Sequence, residues 1–246
     1  MMNKKPGWCC LILLFTAPVS ADDLALALDN QWQINPYRAK RVEYTPFPLL
    51  SWTGNHFYID GDEAGILAWK DDVNELKIKA LWFDRSYDRS DGKGWQMQQL
   101  NNRRTTMMAG LSYQRITPYG ALSGQLAADT LGLSNGVVAT ASWTGYLQSG
   151  KLAFIPAAGI DWEDARQTRY YYGVTADESQ RSGLARYRPS ASLTPWLQLA
   201  LDYRFTPQWE GFISTRVNFL DSNVRDSPMV EKSTSYVIDL GINYHF

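Results

Sequence analysis

The stretch "SYVIDLGINYHF", residues 235–246, ends the chain and decides its fold. Large apolar or aromatic side chains fall on every second residue, and between them lie small or polar residues that include Asp239, Asn243 and His245. The large residues are Tyr236, Ile238, Leu240, Ile242, Tyr244 and Phe246. A period of two is typical of a β-strand with one apolar and one polar face. Chain termini normally fray, so alternation up to Phe246 predicts a strand that is paired on both sides.

The same alternation recurs upstream, most clearly in a hairpin around a short Thr206-Pro207-Gln208 turn. Before the turn, residues 197–205 place Leu, Tyr and Phe on one face. After it, Trp209 and Ile213 share one face, and Glu210 and Arg216 share the other. Comparable patterns cover residues 76–82, 107–113, 137–147 and 152–162. The sequence is therefore predicted to be all-β.

Connections of two lengths separate these strands. Those at 117–120, 148–151 and 206–208 are short, whereas those at 85–102, 129–135, 164–190 and 221–233 are long and polar. Tight turns at one end and long loops at the other are typical of a transmembrane antiparallel up-and-down β-barrel, with the short turns in the periplasm and the longer loops extracellular. Single-chain bacterial barrels have even strand numbers, and the segments predict 10 or 12. Tryptophans near strand ends agree with aromatic girdles.

The first 21 residues have the features of a secretory signal peptide. Lys4 and Lys5 precede an apolar core, and Val19, Ser20 and Ala21 end it with small residues. We therefore predict a signal peptide at 1–21 and one barrel domain at 22–246. Export of a barrel of this kind implies the outer membrane of a Gram-negative bacterium.

Composition excludes several kinds of site. Both cysteines, Cys9 and Cys10, lie in the predicted signal peptide, so the remaining chain has no disulfide or thiolate site. The net charge of −1 becomes −3 without the two signal-peptide lysines, which does not suit a nucleic-acid partner. His56 and His245 are the only histidines and cannot build a typical zinc site. We expect no metal, cofactor or catalytic residue.

Residues 84–94, "DRSYDRSDGKG", faintly resemble a calcium loop because three aspartates alternate with polar residues and glycines. The regular spacing and the closing glutamate of such loops are missing. We interpret the segment as a solvated surface loop.

The polar faces of the last strands predict a charged lumen. By the alternation, its charges are Asp202, Arg204, Glu210, Arg216 and Asp239. Opposite charges on neighbouring strands either line a pore or fill the lumen by pairing. Eight strands enclose little more than side chains and sixteen leave a channel. For 10 or 12 strands we favour a filled or narrow lumen over an open one.

The connection at 164–190 is rich in arginine and tyrosine. Its arginines are Arg166, Arg169, Arg181, Arg186 and Arg188. Guanidinium groups suit phosphates, so one hypothesis is that they bind lipopolysaccharide at the outer surface. The other, which we favour, is that they pair with Asp164, Asp177 and Glu178 and fold the loop on itself.

Four stretches carry a family resemblance over essentially all of residues 22–246. They are "RRTTMMAGLSY" (103–113), "YYYGVTADESQRSGLARYRP" (170–189), "DSPMVEKS" (226–233) and the terminal "GINYHF". With them the chain resembles the MipA/OmpV family of Gram-negative outer-membrane proteins, as a paralogue of its founding member. The resemblance implies an outer-membrane barrel. For the namesake it also implies a scaffold that joins a murein lytic transglycosylase to a murein synthase.

Three functions follow as hypotheses. The first is a non-enzymatic scaffold for murein hydrolase and synthase, the second a narrow pore for small solutes, and the third, least favoured, an enzyme. Outer-membrane lipids are expected partners of the apolar face of residues 236–246. Phe246 at the C-terminus resembles the signal that outer-membrane barrels present to the barrel assembly machinery.

Overall fold

The computed structural model describes residues 23–39 and 42–246. The predicted signal peptide, with Cys9 and Cys10, lies outside the described residues. In the described part, the strands form one antiparallel sheet that closes into a barrel. The β-segments are β1 (Asp23–Ile34), β2 (Glu43–Thr53), β3 (Phe57–Asp60), β4 (Glu63–Lys70), β5 (Asn74–Phe83), β6 (Thr106–Thr117), β7 (Gly120–Asp129), β8 (Val137–Thr144), β9 (Leu147–Ser149), β10 (Leu152–Glu163), β11 (Ser192–Arg204), β12 (Trp209–Phe219) and β13 (Thr234–His245).

The barrel has twelve strands, because β8 and β9 are two parts of one strand. Both pair with β10, and only Gly145 and Tyr146 separate them. Each strand pairs antiparallel with its neighbour in the chain, which makes the topology up-and-down. The all-β barrel prediction is thus confirmed, with twelve strands rather than ten.

The terminal strand β13 closes the ring. It pairs with β12 from Trp209↔Tyr244 to Phe219↔Thr234. On its other side it pairs with β1, where Ala25 lies opposite His245 and Ile34 opposite Tyr236. The last strand is therefore held from both sides, which explains why its alternation continues to the end of the chain.

Alternation along the strands separates an inner face from an outer face. On β13, Val237, Asp239 and Asn243 are buried, whereas Leu240 is 49% exposed. Exposed large apolar side chains occur along the outer face of nearly every strand, for example Leu28 on β1 and Leu111 on β6. A continuous apolar exterior around a polar interior is the reverse of a water-soluble barrel and is typical of one surrounded by lipid.

The long connections fold into a compact layer over one end of the barrel, which we call the cap. It comprises residues 35–39, 84–105, 164–191 and 220–233. It contains a 3₁₀ turn (Arg89–Asp91) and the helices α1 (Gly94–Gln98), α2 (Ala165–Tyr172), α3 (Ala176–Ser182) and α4 (Ser222–Arg225). The sequence analysis did not anticipate these helices. A capping box at Thr175 and Glu178, in the spacing typical of a helix start, was the available signal for α3.

The cap has its own apolar core. It is built from tyrosine, methionine and aliphatic side chains of all four segments: Tyr37, Tyr87, Met97, Leu100, Tyr171, Tyr172, Val174, Leu184, Leu220, Val224, Met229 and Val230. The interpretation of residues 84–94 as a solvated surface loop holds for only part of the segment. Residues 89, 90, 93 and 94 are exposed, whereas Asp84 is 5% exposed and Tyr87 only 2%. Tyr87 donates to the Met97 carbonyl at 2.8 Å and fixes the segment inside the cap.

Among the described residues, none of the helices has the length and apolar character needed to span a bilayer.

Candidate functional site

The inside of the barrel, below the cap, contains a cavity of about 220 Å³. Strands β4 and β5 contribute a buried ion pair to its wall, in which Lys79 Nζ lies 2.7 Å from Glu63 Oε2. Both side chains are 3% exposed. Lys79 also donates to Gln125 Oε1 at 2.8 Å, and Tyr58 donates to Glu63 Oε1 at 3.0 Å. These contacts satisfy the buried charges, as a low-dielectric interior requires.

A second ion pair joins β12 to β10 on the inner face of the wall, across the intervening strand β11. Arg216 Nη2 lies 2.5 Å from Asp161 Oδ2, and the guanidinium stacks over the Trp196 ring at 4.0 Å. Asp161 also accepts hydrogen bonds from Thr140 at 2.8 Å and from the Trp196 indole at 3.1 Å. These side chains come from four neighbouring strands, so the network narrows the lumen.

A third pair lies where the lumen meets the cap. Arg85, just after β5, places Nη1 2.6 Å from Glu163 Oε1 at the end of β10. Its guanidinium also lies over the rings of Phe83, Tyr171 and Tyr172, at 5.2 to 5.5 Å from their centroids. Arg85 therefore links the apolar core of the cap to the polar lumen.

The structure distributes the five predicted lumen charges along the wall. Asp202, Glu210 and Asp239 are buried, at 5%, 5% and 2% exposure. Arg204 is 56% exposed in its side chain and reaches Glu210 at 3.4 Å. Asp239 accepts from Gln31 at 2.8 Å, whereas Arg216 belongs to the network with Asp161. They do not form one site.

The charges that surround the cavity were mostly absent from the sequence prediction. Glu63, Lys79, Arg85, Asp161 and Glu163 were not selected. Alternation does mark part of this set, since Glu75, Lys77 and Lys79 occupy every second residue of β5. The alternation of residues 152–162 also places Asp161 and Glu163 on the inner face, but no local pattern marks their partners, which lie 55 and 78 residues away.

An ion pair also organises the cap. Arg103 Nη2 lies 2.8 Å from Glu178 Oε1 and donates to the Gly173 carbonyl at 3.0 Å. Glu178 accepts as well from the backbone N–H groups of Asn101 and Thr175, each at 2.9 Å. Burial opposes ionisation of Glu178, but Arg103 and these N–H groups outweigh it and hold the pKa of the carboxyl below its usual range. Burial raises the pKa of Tyr37 well above its usual range.

The loop arginines do not pair with Asp164, Asp177 or Glu178, as the favoured hypothesis expected. Asp164 accepts from the Gln167 N–H at the start of α2, and Glu178 pairs with Arg103 of another segment. The loop is folded, but through contacts to carbonyl and amide oxygens. Arg166 donates to the Asn135 carbonyl at 3.4 Å, Arg169 to the Pro189 carbonyl at 2.9 Å and Arg181 to Asn101 Oδ1 at 2.9 Å. Arg186 and Arg188 are exposed.

The terminal strand turns its large residues outward. Tyr236, Leu240 and Ile242 are 39%, 49% and 39% exposed, whereas Ile238 and Tyr244 are half-buried. Phe246 is 72% exposed, and its N–H donates to the Leu24 carbonyl at 3.1 Å. His245 turns inward, and His56 lies exposed in the turn between β2 and β3.

The described residues contain no group of three or more His, Cys, Asp or Glu side chains placed to hold a metal ion. The charged groups around the cavity form ion pairs and hydrogen bonds that brace the wall, whereas Oδ1 of Asp202 and Oε1 of Glu210 are buried with no hydrogen-bond partner among the described residues. The arrangement is suited to stabilising a narrow, polar interior.

Comparison with known sequences gives consistent relatives. The sequence profile of the family described as "MltA-interacting protein MipA" matches residues 32–246. The chain is 39% identical over 212 residues to the MltA-interacting protein of Escherichia coli K12, covering 86% of each chain. It is 31% identical over 234 residues to the putative outer membrane protein YiaT of the same strain, covering 95% of each. OmpV of Vibrio cholerae is 22% identical over 161 residues, or 65% of this chain and 62% of OmpV.

Solved structures with similar folds include outer-membrane barrels. The NanC porin superposes with a TM-score of 0.47 and 10% identity, covering 89% of this chain and 98% of the porin. An outer membrane channel from Pseudomonas putida F1 superposes with a TM-score of 0.45 and 13% identity, covering 94% of this chain and 97% of the channel.

Proposed function

Because the chain belongs to the MltA-interacting protein MipA family and is an outer-membrane β-barrel, we propose that it is a non-enzymatic scaffold of the outer membrane. Its partners are a murein lytic transglycosylase, as the name of the E. coli relative suggests, and a murein synthase. The observation that carries the proposal is the cap. A packed layer with its own apolar core covers the end that carries the long connections, so the proposal assigns the contact with the murein enzymes to the opposite, periplasmic end.

The periplasmic end offers a rigid contact surface in spite of its short turns. Tyr119, in the β6–β7 turn, is 86% exposed. Its carbonyl accepts from the Trp143 indole at 2.9 Å, and its N–H donates to Thr117 Oγ1 at 3.2 Å. An exposed tyrosine on a backbone held in this way is suited to contact a partner, since tyrosine and tryptophan are enriched among residues that dominate binding energy.

Affinity isolation from detergent-solubilised envelopes tests the scaffold. We expect the wild-type protein to retain a lytic transglycosylase, identified by mass spectrometry, and Tyr119→Ala to retain less. The matched control is Trp95→Ala, an aromatic residue of the cap that is 62% exposed at the opposite end. Absence of any murein enzyme from the wild-type eluate would count heavily against the scaffold.

The second candidate is a narrow pore for small solutes, which the cavity of about 220 Å³ inside the lumen favours. The ion pairs Lys79–Glu63 and Arg216–Asp161 occupy the wall around that cavity, so we propose a restricted lumen. Planar-bilayer recording separates the candidates. Large, stable conductance openings of the purified protein would favour the pore hypothesis over the scaffold hypothesis.

The proposal also includes contacts with outer-membrane lipid, with the barrel assembly machinery and with lipopolysaccharide. Tyr236, Ile238, Leu240, Ile242 and Tyr244 would face outer-membrane lipid, and the exposed Phe246 would be read by the barrel assembly machinery. In the cap, Arg186 and Arg188 are the arginines best placed for lipopolysaccharide phosphates, because both are exposed, whereas Arg166, Arg169 and Arg181 donate to oxygens of the protein. Replacing the five loop arginines by glutamine and measuring lipopolysaccharide binding tests the last contact, and unchanged binding would remove it.

A further inference from the structure

Six uncharged polar side chains lie together on the wall of the lumen cavity. They belong to the neighbouring strands β6, β7 and β8, and the register of these strands aligns them in two rows of three. The row nearer the cap is Ser112, Gln125 and Thr140, and the lower row is Gln114, Ser123 and Ser142. Because paired strands are about 4.8 Å apart, the six side chains form one continuous surface, which we call the amide–hydroxyl patch.

The wall beside the patch carries small side chains, which leaves space in front of it. Ala157 and Ala200 line the cavity on β10 and β11. The lower row continues through Gly159 of β10 to Trp196 of β11. A Cβ atom at residue 159 would collide with the Trp196 indole, so glycine allows the ring to lie against the wall. A ligand can therefore occupy the space that larger side chains would fill.

The upper row of the patch is fixed by hydrogen bonds that connect two ion pairs of the cavity. Lys79 Nζ donates to Gln125 Oε1 at 2.8 Å, and Gln125 Nε2 donates to Thr140 Oγ1 at 3.1 Å. The Thr140 hydroxyl donates to Asp161 at 2.8 Å, and Asp161 pairs with Arg216. This chain of contacts holds the patch in one arrangement before a ligand binds. Such preorganisation lowers the cost of binding.

Other polar groups of the cavity have unused hydrogen-bonding capacity. Within the described part of the chain, the side chains of Ser112, Ser142 and Gln198 form no hydrogen bond. Gln114 accepts from Ser123 Oγ at 3.2 Å through Oε1, which leaves its amide NH₂ group unused. A serine hydroxyl and a glutamine amide can each donate and accept. A solute at the patch therefore meets both donors and acceptors.

The charged side chains near the patch are already paired. Among the described residues, the three basic side chains that line the cavity all lie in ion pairs: Lys77 with Glu75 at 2.7 Å, Lys79 with Glu63 at 2.7 Å and Arg216 with Asp161. Glu163 pairs with Arg85. Asp62 and Asp84 lie toward the cap, level with the last residues of β5. A charged ligand at the patch would have to break a pair or be buried without a partner, and both are costly.

The cavity extends toward the end of the barrel with the short turns. Its lining runs from Glu163, at the cap, to Thr144, which pairs with Ala121 next to the β6–β7 turn. The packed core of the cap covers the other end, so we expect a solute to reach the patch from the short-turn end.

From these contacts we propose that the lumen cavity binds a neutral, polyhydroxylated solute of the size of one sugar ring. Sugar hydroxyls donate and accept hydrogen bonds, which matches the unused groups of Ser112, Ser142 and Gln198. The volume of about 220 Å³ is below the roughly 300–1,000 Å³ of sites for drug-sized ligands, so a single ring fits it best. This inference rests on the second candidate function, the narrow pore, because it names the class of solute for that lumen.

Binding is measured by isothermal titration calorimetry on the purified protein. A zwitterionic detergent is used, because a detergent with a sugar head group would compete. The probes are glucose, glucosamine and glucuronate, at a slightly acidic pH that keeps the amine of glucosamine protonated and the carboxyl of glucuronate ionised. We expect the Kd of glucose to be about tenfold lower than those of the two charged sugars. Equal Kd values for the three probes, or no saturable binding of glucose, would overturn the proposal and leave water as the occupant.

Ser142→Ala and Gln198→Leu test the residues of the site. Each removes a polar group that has no hydrogen-bond partner among the described residues, so the barrel should assemble with unchanged heat-modifiable migration. We expect each to raise the Kd of glucose about two- to tenfold, the effect of one hydrogen bond. The matched control is Ser214→Ala, which removes an inward hydroxyl bonded to Asp239 outside the cavity lining. An unchanged Kd in both site variants, or an equal rise in the control, would overturn the proposal.

Liposome swelling separates this inference from the pore candidate, since swelling reports permeation whereas calorimetry reports binding. Selective glucose binding without swelling would support the binding cavity and count against the pore. Swelling at equal rates with all three sugars, without selective binding, would support the pore and overturn the inference.

Discussion

The guanidinium of Arg103 lies 2.8 Å from the carboxylate of Glu178, although 75 residues separate them in the chain. Arg103 precedes β6, and Glu178 lies in α3 of the β10–β11 connection. The side chains are 7% and 0% exposed. This contact joins two extracellular segments into one cap, so the long connections of the barrel behave as a folded layer rather than as independent loops.

Arg103→Met should open the cap and leave the barrel intact. Removing one partner of a buried ion pair leaves an uncompensated charge, at a cost of about 3–5 kcal/mol. We expect faster proteolysis within residues 164–191, with unchanged heat-modifiable migration of the barrel on gels. Arg181→Met, which removes an exposed contact to Asn101, is the control. Equal protease resistance of wild type and Arg103→Met would contradict the role assigned to the pair.

The cap should also lose stability in acid. The pKa of Glu178 in the folded cap lies below its ordinary value of 4.5, so its charged form favours the folded state. This contribution is complete above pH 4.5 and is lost as the pH falls through the folded pKa. Hydrogen exchange of the α3 amides, measured from pH 7 downward, should show the loss after correction for intrinsic rates. In Glu178→Gln this component should disappear. A profile in that variant identical to wild type would assign the acid response to another group.

Lys79→Met should destabilise the barrel far more than Lys70→Met. Lys79 and Glu63 are both 3% exposed and 2.7 Å apart, whereas Lys70 is 55% exposed and 3.6 Å from Glu75. The buried pair should cost about 3–5 kcal/mol when broken, and the exposed pair about 0–1 kcal/mol. Urea unfolding in vesicles, followed by tryptophan fluorescence, measures both. Glu63→Leu combined with Lys79→Met should recover stability, and no recovery would mean that the loss is one of packing.

Deletion of Phe246 should lower the amount of folded barrel in the outer membrane. Its side chain is 72% exposed and contacts Tyr244 with ring centroids 4.8 Å apart, so little packing is lost in the folded state. The expected defect is therefore one of assembly, measured as heat-modifiable protein in the outer-membrane fraction. Phe205→Ala, an exposed aromatic in the β11–β12 turn, is the control. Unchanged assembly would refute a recognition role for the terminal residue.

The barrel could be predicted from the sequence because its signals are local. The apolar residues of 236–246 recur with the period of a strand, and the turns at 117–120 and 206–208 were read directly. The cap was missed for a physical reason. Its helices have at most eight residues, too few for a clear helical period, and their stability comes from packing against other segments.

For the charges around the cavity, too, the sequence predicted which side chains point inward but not which of them contact each other. Asp202, Glu210 and Asp239 were identified as inward from their position in an alternating strand, and the structure buries all three. The ion-pair partners in the lumen could not be predicted from the sequence, because a contact such as Arg216–Asp161 joins β12 to β10 across β11. Which inner side chains meet depends on the stagger of the strands around the closed ring.

The sequence by itself thus determined the location of the protein and the two faces of its wall. Period-two alternation and turn length are local patterns, so consecutive residues are enough to recognise them. Tertiary structure alone decided the Arg103–Glu178 contact and the lumen networks. Closure of the barrel sets which inner side chains meet, and closure is a property of all twelve strands together.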